Sequence, residues 1–235
     1  MYPVSCGQVV KRALQKACLQ GADGLADPSE LTDMVNVSLA EWYDLVRLTT
    51  WGGQYFRSSA AFTTISGQYS YPLPPTFAAM LSVDIYLSPT WKVCGRPYQE
   101  EERNIFTGPA LPVGWTYGLP IWYQLQGPNI RFLTNPASTY QVGLNFVPVC
   151  PRLMDPSSSF DSIQGWEEWI VIDVARKLLF KDGSLDAFAA LGPELERQRE
   201  RIERAAPERD AGNAEVVHDV VGVDDGAMSG IGGWP

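Results

Sequence analysis

The sequence predicts a mixed α+β protein: a helical bundle formed by its N- and C-terminal parts, an inserted antiparallel β-sandwich or barrel domain, and an extended C-terminal arm. Three observations carry this. Helical periodicity with few prolines runs to about Trp51, and it returns after Gly165. Between Ser58 and Pro151, 12 of the 18 prolines punctuate short runs rich in aromatic and β-branched residues, the texture of strands. From Pro207 onward, glycines and acidic residues leave too little apolar surface to fold alone. The corresponding boundaries are 1–55, 56–152, 153–206 and 207–235.

In the N-terminal part, a first helix over Ser5 to Leu19 puts Val9, Ala13, Leu14 and Ala17 on one stripe. A loop at Gly21-Ala22-Asp23-Gly24 follows. A strong start signal comes next: Asp27 can cap, Pro28 suits the first helical position, and Glu30 stands three after the cap. That helix aligns Leu31, Met34, Val35, Ser38, Trp42, Leu45 and Val46, and Gly52-Gly53 ends it. A core-facing role for Trp42 fits this stripe better than an aromatic binding site does.

In the middle part, Phe62 to Ile65 and Tyr69 to Tyr71 read as a tight hairpin around Ser66-Gly67-Gln68. Leu81, Val83, Ile85 and Leu87 share one face of a strand. A second hairpin joins Ile121–Leu125 to Ile130–Leu133 through Gly127-Pro128-Asn129. Tyr140, Val142, Leu144 and Phe146 alternate with Gln141, Gly143 and Asn145, the period of a half-buried antiparallel strand. Five to seven such strands make a small sandwich or barrel.

After an Asp155–Ser159 loop, Trp166 to Phe180 is apolar around most of its circumference, so it belongs at the centre of the helices. Gly183 stops it. A last, very charged helix is expected over Ser184 to Ala206, with Leu195 and Ile202 as its only large apolar residues after Leu191. A solvated face explains this helix, and its Arg197, Arg201 and Arg204 are the candidates for a subunit contact. In the arm, Val216, Val217, Val220, Val221, Ile231 and Trp234 are apolar anchors that can dock on a portal protein or a neighbouring subunit.

The formal charge of −9 is a poor match for wrapping nucleic acid. Cys6, Cys18, Cys94 and Cys150 form no C-x-x-C pair, and His218 in the arm is the sole histidine, so no zinc site is expected. The cysteines read as small buried hydrophobes of a reducing compartment. Neither a signal peptide nor an apolar stretch long enough to span a bilayer is present, which points to folding in a cytoplasm.

Catalytic machinery is equally hard to find. No G-x-S-x-G elbow, phosphate-binding loop or dinucleotide fingerprint occurs. Paired carboxylates remain, in Glu100, Glu101 and Glu102 or in Glu167 and Glu168, but neighbours on a helix point about 100° apart. A cell-wall hydrolase is therefore the weakest alternative. A glycan-binding β-module, with Trp115, Tyr117, Trp122 and Tyr123 as a stacking platform, is the other. The expectation is a structural protein, not an enzyme, with no cofactor and no metal.

The order of segments is itself informative. Tyr69-Ser70-Tyr71-Pro72-Leu73-Pro74 precedes Val83-Asp84-Ile85; Gly118-Leu119-Pro120-Ile121-Trp122-Tyr123-Gln124-Leu125 leads through Ile130-Arg131-Phe132 to Tyr140–Phe146; then come Pro151-Arg152-Leu153 and the Trp166 helix. From about Val9 to Asp219 this order resembles the head-to-tail adaptor (connector) proteins of tailed bacteriophages. The glycine- and aspartate-rich stretch after Val221 departs from it. The resemblance implies a virion protein of the neck, assembled in the bacterial host cytoplasm. It implies a homo-oligomeric ring of twelve subunits under the portal, bound to a tail or nozzle protein, through which genomic DNA passes without sequence-specific binding. No membrane partner is expected.

Overall fold

The computed structural model describes residues 2–19, 25–49, 55–99, 119–133, 135–163 and 165–208. Five helices and ten strands lie among them. The helices are α1 (Cys6–Lys16), α2 (Pro28–Thr49), α3 (Glu167–Asp182), α4 (Leu185–Ala190) and α5 (Gly192–Glu208). A two-stranded sheet pairs β1 (Tyr2–Ser5) with β10 (Ser159–Ser162). One four-stranded antiparallel sheet has the order β2 (Ser58–Thr63), β9 (Gln141–Pro148), β4 (Phe77–Ser88), β5 (Trp91–Cys94). The other runs β3 (Ser70–Pro72), β8 (Asn129–Phe132), β7 (Trp122–Gln126), β6 (Arg96–Pro97), and its β6–β7 pair is parallel.

Local chemistry sets the helix ends. Ser5 closes a capping box with Gln8 and starts α1. The Pro156 and Ser158 carbonyls accept from the Gly7 and Cys6 N–H groups, so the Asp155–Ser159 loop satisfies donors that a helix start leaves open. A Cβ on Gly7 would come within 3.2 Å of the Pro156 carbonyl oxygen, so a larger residue there would press on the loop's backbone. Pro28 opens α2, and Gly183 ends α3 in the left-handed region at φ 83°.

Two apolar cores result. The first gathers α1, α2, α3 and α5, with Val9, Val35, Leu39, Trp42, Ile170, Val174, Leu178 and Ile202 fully or almost fully buried. The second lies between the two four-stranded sheets, built from Tyr71, Val83, Ile85, Tyr123, Ile130, Phe132, Val142, Leu144 and Phe146. Strand β9 serves both: Phe146 enters the second core and the next residue, Val147, enters the first. Successive residues of a strand point to opposite faces, so one strand can join two cores. Strand β4 does the same, with Leu81 against the helices and Val83 and Ile85 between the sheets. A register shift between Met80 and Ser82 accompanies that change of side. Tyr43 adds a polar tie, donating from its hydroxyl to the Pro148 carbonyl at 2.6 Å.

Several expectations need correction. The hairpin around Ser66-Gly67-Gln68 is not one. Strand β2 pairs with β9 and β3 with β8, so the turn carries the chain from one sheet to the other. Phe62 and Tyr71 stack across the second core with centroids 4.9 Å apart, and burying both rings together outweighs local pairing. The last charged helix is two, because Gly192-Pro193 interrupts it: proline lacks the N–H that a continuous helix needs. The buried stripe of α2 contains Leu39 and Tyr43, while Leu31, Met34 and Leu45 pack at the margin of the first core. The first helix stops at Lys16, with Cys18 at φ 55° just beyond it. Of the cysteines, only Cys6 is buried; Cys18 and Cys94 are exposed. Strand β1 was invisible because its partner lies some 155 residues away in sequence.

Candidate assembly surface

One polar cluster is built from β1, α1 and the start of α3. Glu167 is buried, and its Oε2 accepts from Ser162 at 2.6 Å. Its Oε1 accepts from the Tyr2 hydroxyl at 2.6 Å and from Arg12 at 3.2 Å. Glu168 takes the second Arg12 nitrogen at 2.5 Å and Lys16 at 2.5 Å, and Lys16 reaches on to Glu194 of α5 at 2.8 Å. One chain of alternating charges thus ties β1, α1, α3 and α5 together. Burial pushes the Glu167 carboxyl up, but hydrogen bonds from Ser162, Tyr2 and Arg12 outweigh it and hold it below the ordinary carboxylate range. Both carboxylates of this candidate catalytic pair are spent on cations and hydroxyls of the fold itself. Glu100, Glu101 and Glu102 lie outside the described residues.

A second polar tie joins α2 to α3. Ser38, fully buried, donates to Asp173 at 2.7 Å, and Lys177 bridges Asp173 at 2.6 Å and Ser38 at 2.9 Å. This explains a serine in the apolar stripe of α2. Asn36 grips the chain after β9 from both sides, through the Leu153 carbonyl and the Leu153 N–H.

The aromatic platform does not form as expected. Trp115 and Tyr117 lie outside the described residues. Trp122 and Tyr123, as strand neighbours, turn to opposite faces: Tyr123 enters the second core, and Trp122 lies under the Arg96 guanidinium at 5.9 Å. A pocket of about 250 Å³ opens instead where α2 meets the end of β9, lined by Trp42, Tyr43, Tyr55, Phe56, Pro148 and Phe160 among others.

What the surface offers is contact area. Exposed large apolar side chains include Val37 and Leu48 on α2, Trp91 on β5, Met154, and Phe180 and Leu185 where α3 turns into α4. Helix α4 has no buried residue; Phe188 holds it to α3, with the Arg176 guanidinium 4.3 Å over its ring. On α5, Ile202 and Ala206 face the first core, and Arg197, Arg201 and Arg204 are exposed. Arg197 stands 3.9 Å from Glu194, and Arg201 donates to Gln198 at 3.3 Å. The arm anchors Val216, Val217, Val220, Val221, Ile231 and Trp234, and His218 with them, lie outside the described residues. No group of three or more metal-binding side chains occurs among the described residues, and none of their helices is long and apolar enough to cross a membrane.

The described residues thus comprise helices knitted by ion pairs, a two-sheet β part joined to them through shared strands, and exposed apolar and charged side chains. The chain belongs to the SU10 adaptor protein family, whose model matches residues 6–213. The resemblance to phage head-to-tail adaptors is thereby borne out, and the class is that of a structural phage adaptor, which is not an enzyme. Comparison with curated proteins finds no match.

Proposed function

We propose that this adaptor forms a ring of twelve copies under the portal at the head–tail junction of a virion, extends the DNA channel and presents the platform for the tail or nozzle protein. Membership of the SU10 adaptor family is the observation that carries this reading. The helical part is the body of the ring, the inserted β part an excursion from it, and 207–235 an arm that docks through its apolar anchors. Arg197, Arg201 and Arg204 belong to the contact between subunits. Acidic charge supports free passage of DNA: the chain carries −9 overall, and a surface of like sign repels phosphates. Assembly in the host cytoplasm fits the unpaired cysteines of the described residues.

Removing residues 207–235 is expected to leave the body folded, since the described core ends at Ala206, while docking weakens. Co-sedimentation with purified portal rings reads this directly. Truncated chains that pellet with the portal as well as the parent would count against the arm. A folded state unchanged by circular dichroism separates loss of docking from loss of structure.

A further inference from the structure

Aromatic rings wall the pocket between α2 and the end of β9. Tyr43 and Phe56 stack with centroids 3.8 Å apart, Tyr55 meets Phe56 edge-on at 4.6 Å, and the Trp42 ring lies 6.1 Å from Phe56. Tyr55 and Phe56 are half-buried, so part of each ring is open to a ligand while Trp42 and Tyr43 anchor the wall in the core. At the rim stand Arg57 and Asp161, both exposed. Arg57 donates to the Asn145 side-chain oxygen at 2.9 Å, a neutral acceptor that leaves its charge available. An aromatic-lined groove of this kind suits an extended, proline-bearing peptide. Prolines pack flat on rings, and their fixed φ means that little chain freedom is lost on docking.

The chain itself carries such a peptide. Between Gln99 and Leu119, which bound a segment outside the described residues, the sequence reads Gly108-Pro109-Ala110-Leu111-Pro112-Val113, with the P-x-x-P spacing of polyproline II recognition. Glu100, Glu101, Glu102 and Arg103 precede it, and no further charge follows before Leu119. We propose that Pro109–Pro112 of one copy docks in the aromatic pocket of the next. The charges agree: the glutamates steer the segment toward Arg57, and Arg103 offers the opposite sign to Asp161. Strands β6 and β7, which flank the segment, belong to the sheet on the far side of the second core, whereas the pocket opens where α2 meets β9. Pro112 stands seven residues before Leu119 and Pro109 ten after Gln99, an extended reach of about 23 Å or more. That is enough to project from the sheet to a neighbour, without the chain wrapping round its own β part. One segment given and one pocket filled per copy is a heterologous contact, the kind that closes into rings. The meeting of copies rests on the ring reading above; the affinity of the pocket for the segment does not.

Two measurements separate the docking step from the meeting of copies. In the first, a fluorescein-labelled peptide of residues 100–116 is titrated against the full chain carrying P109A and P112A, whose own segment is disabled, and fluorescence anisotropy reads binding. Saturable binding is expected. It should weaken about tenfold or more when the peptide carries the two alanines or the recipient also carries Tyr55→Ala, and about fivefold with Arg57→Glu. Circular dichroism checks each recipient, and the exposed Arg57 provides a pocket variant should Tyr55→Ala unfold the chain. No saturable binding, or binding indifferent to the alanines or to the pocket substitutions, overturns the docking. In the second, sedimentation velocity over a concentration series compares the parent with the P109A/P112A chain. The parent should associate at high concentration, the variant should stay monomeric, and excess peptide should dissociate the parent. A parent that stays monomeric while the peptide binds, or a variant that associates like the parent, overturns the contact between copies and leaves the segment to the pocket of its own chain. Failure of the parent to load onto portal rings would sink the ring reading alone, with the peptide result untouched.

Discussion

Replacing Trp42 by alanine is expected to destabilise the chain by about 3–5 kcal/mol, the range for emptying a fully buried aromatic position. Trp42 is 1% exposed and sits where the two parts of the molecule meet. Phe56 packs against it with ring centroids 6.1 Å apart, and Phe160 at 5.9 Å. Phe56 in turn stacks on Tyr43 at 3.8 Å, and Tyr43 holds β9 through Pro148. The indole thus supports both the helical core and the exit of β9, and it lines the pocket at their junction. Trp42→Phe, which keeps an aromatic ring in the same contacts, should cost markedly less. Urea denaturation of the two variants measures this; equal midpoints for Trp42→Ala and the parent would contradict the packing account.

Replacing Glu167 by alanine is expected to cost about 2–3 kcal/mol. It strips the acceptor from Ser162, which is fully buried and is left as a donor without that partner, while the exposed Tyr2 hydroxyl regains water. Arg12 is 41% exposed and regains water, so the penalty stays below that of a wholly buried pair. The same group sets a pH dependence. Its folded carboxyl is held below the usual range, and an unfolded glutamate titrates near about 4.3. Its contribution is therefore complete above that value and is lost as pH falls through the lower folded value. Thermal unfolding followed from neutral to acid pH should show the parent losing stability faster below about pH 4 than Glu167→Gln. Parallel curves would remove Glu167 from the acid response.

Much of the fold was legible in the sequence, because local signals coincided with tertiary demands. Asp27-Pro28, the all-round apolar Trp166–Phe180 segment, Gly183 and the Tyr140–Phe146 alternation each record one local requirement, and the structure satisfies it. The failures share a cause. Strand β1 and the partners of β2 and β3 are fixed by residues far away in sequence, which short-range periodicity does not see. The break at Gly192-Pro193 was readable; the run of charges after it disguised two helices as one. At the surface, Arg197, Arg201 and Arg204 were visible as candidate residues, and burial of Ile202 and Ala206 fixes which way α5 faces. Glu167 and Glu168 were singled out as a pair, but their partners Arg12, Lys16, Tyr2 and Ser162 come from three other segments, and no spacing rule connects them.

Mass photometry of the chain with purified portal rings tests the adaptor account most directly. Alone and dilute, the chain should register as a 26.0 kDa subunit. Mixed with portal, the portal peak should gain a fixed mass that saturates at twelve copies per ring. A portal peak that never moves, or one that gains mass continuously without reaching a plateau, would contradict a ring docked under the portal.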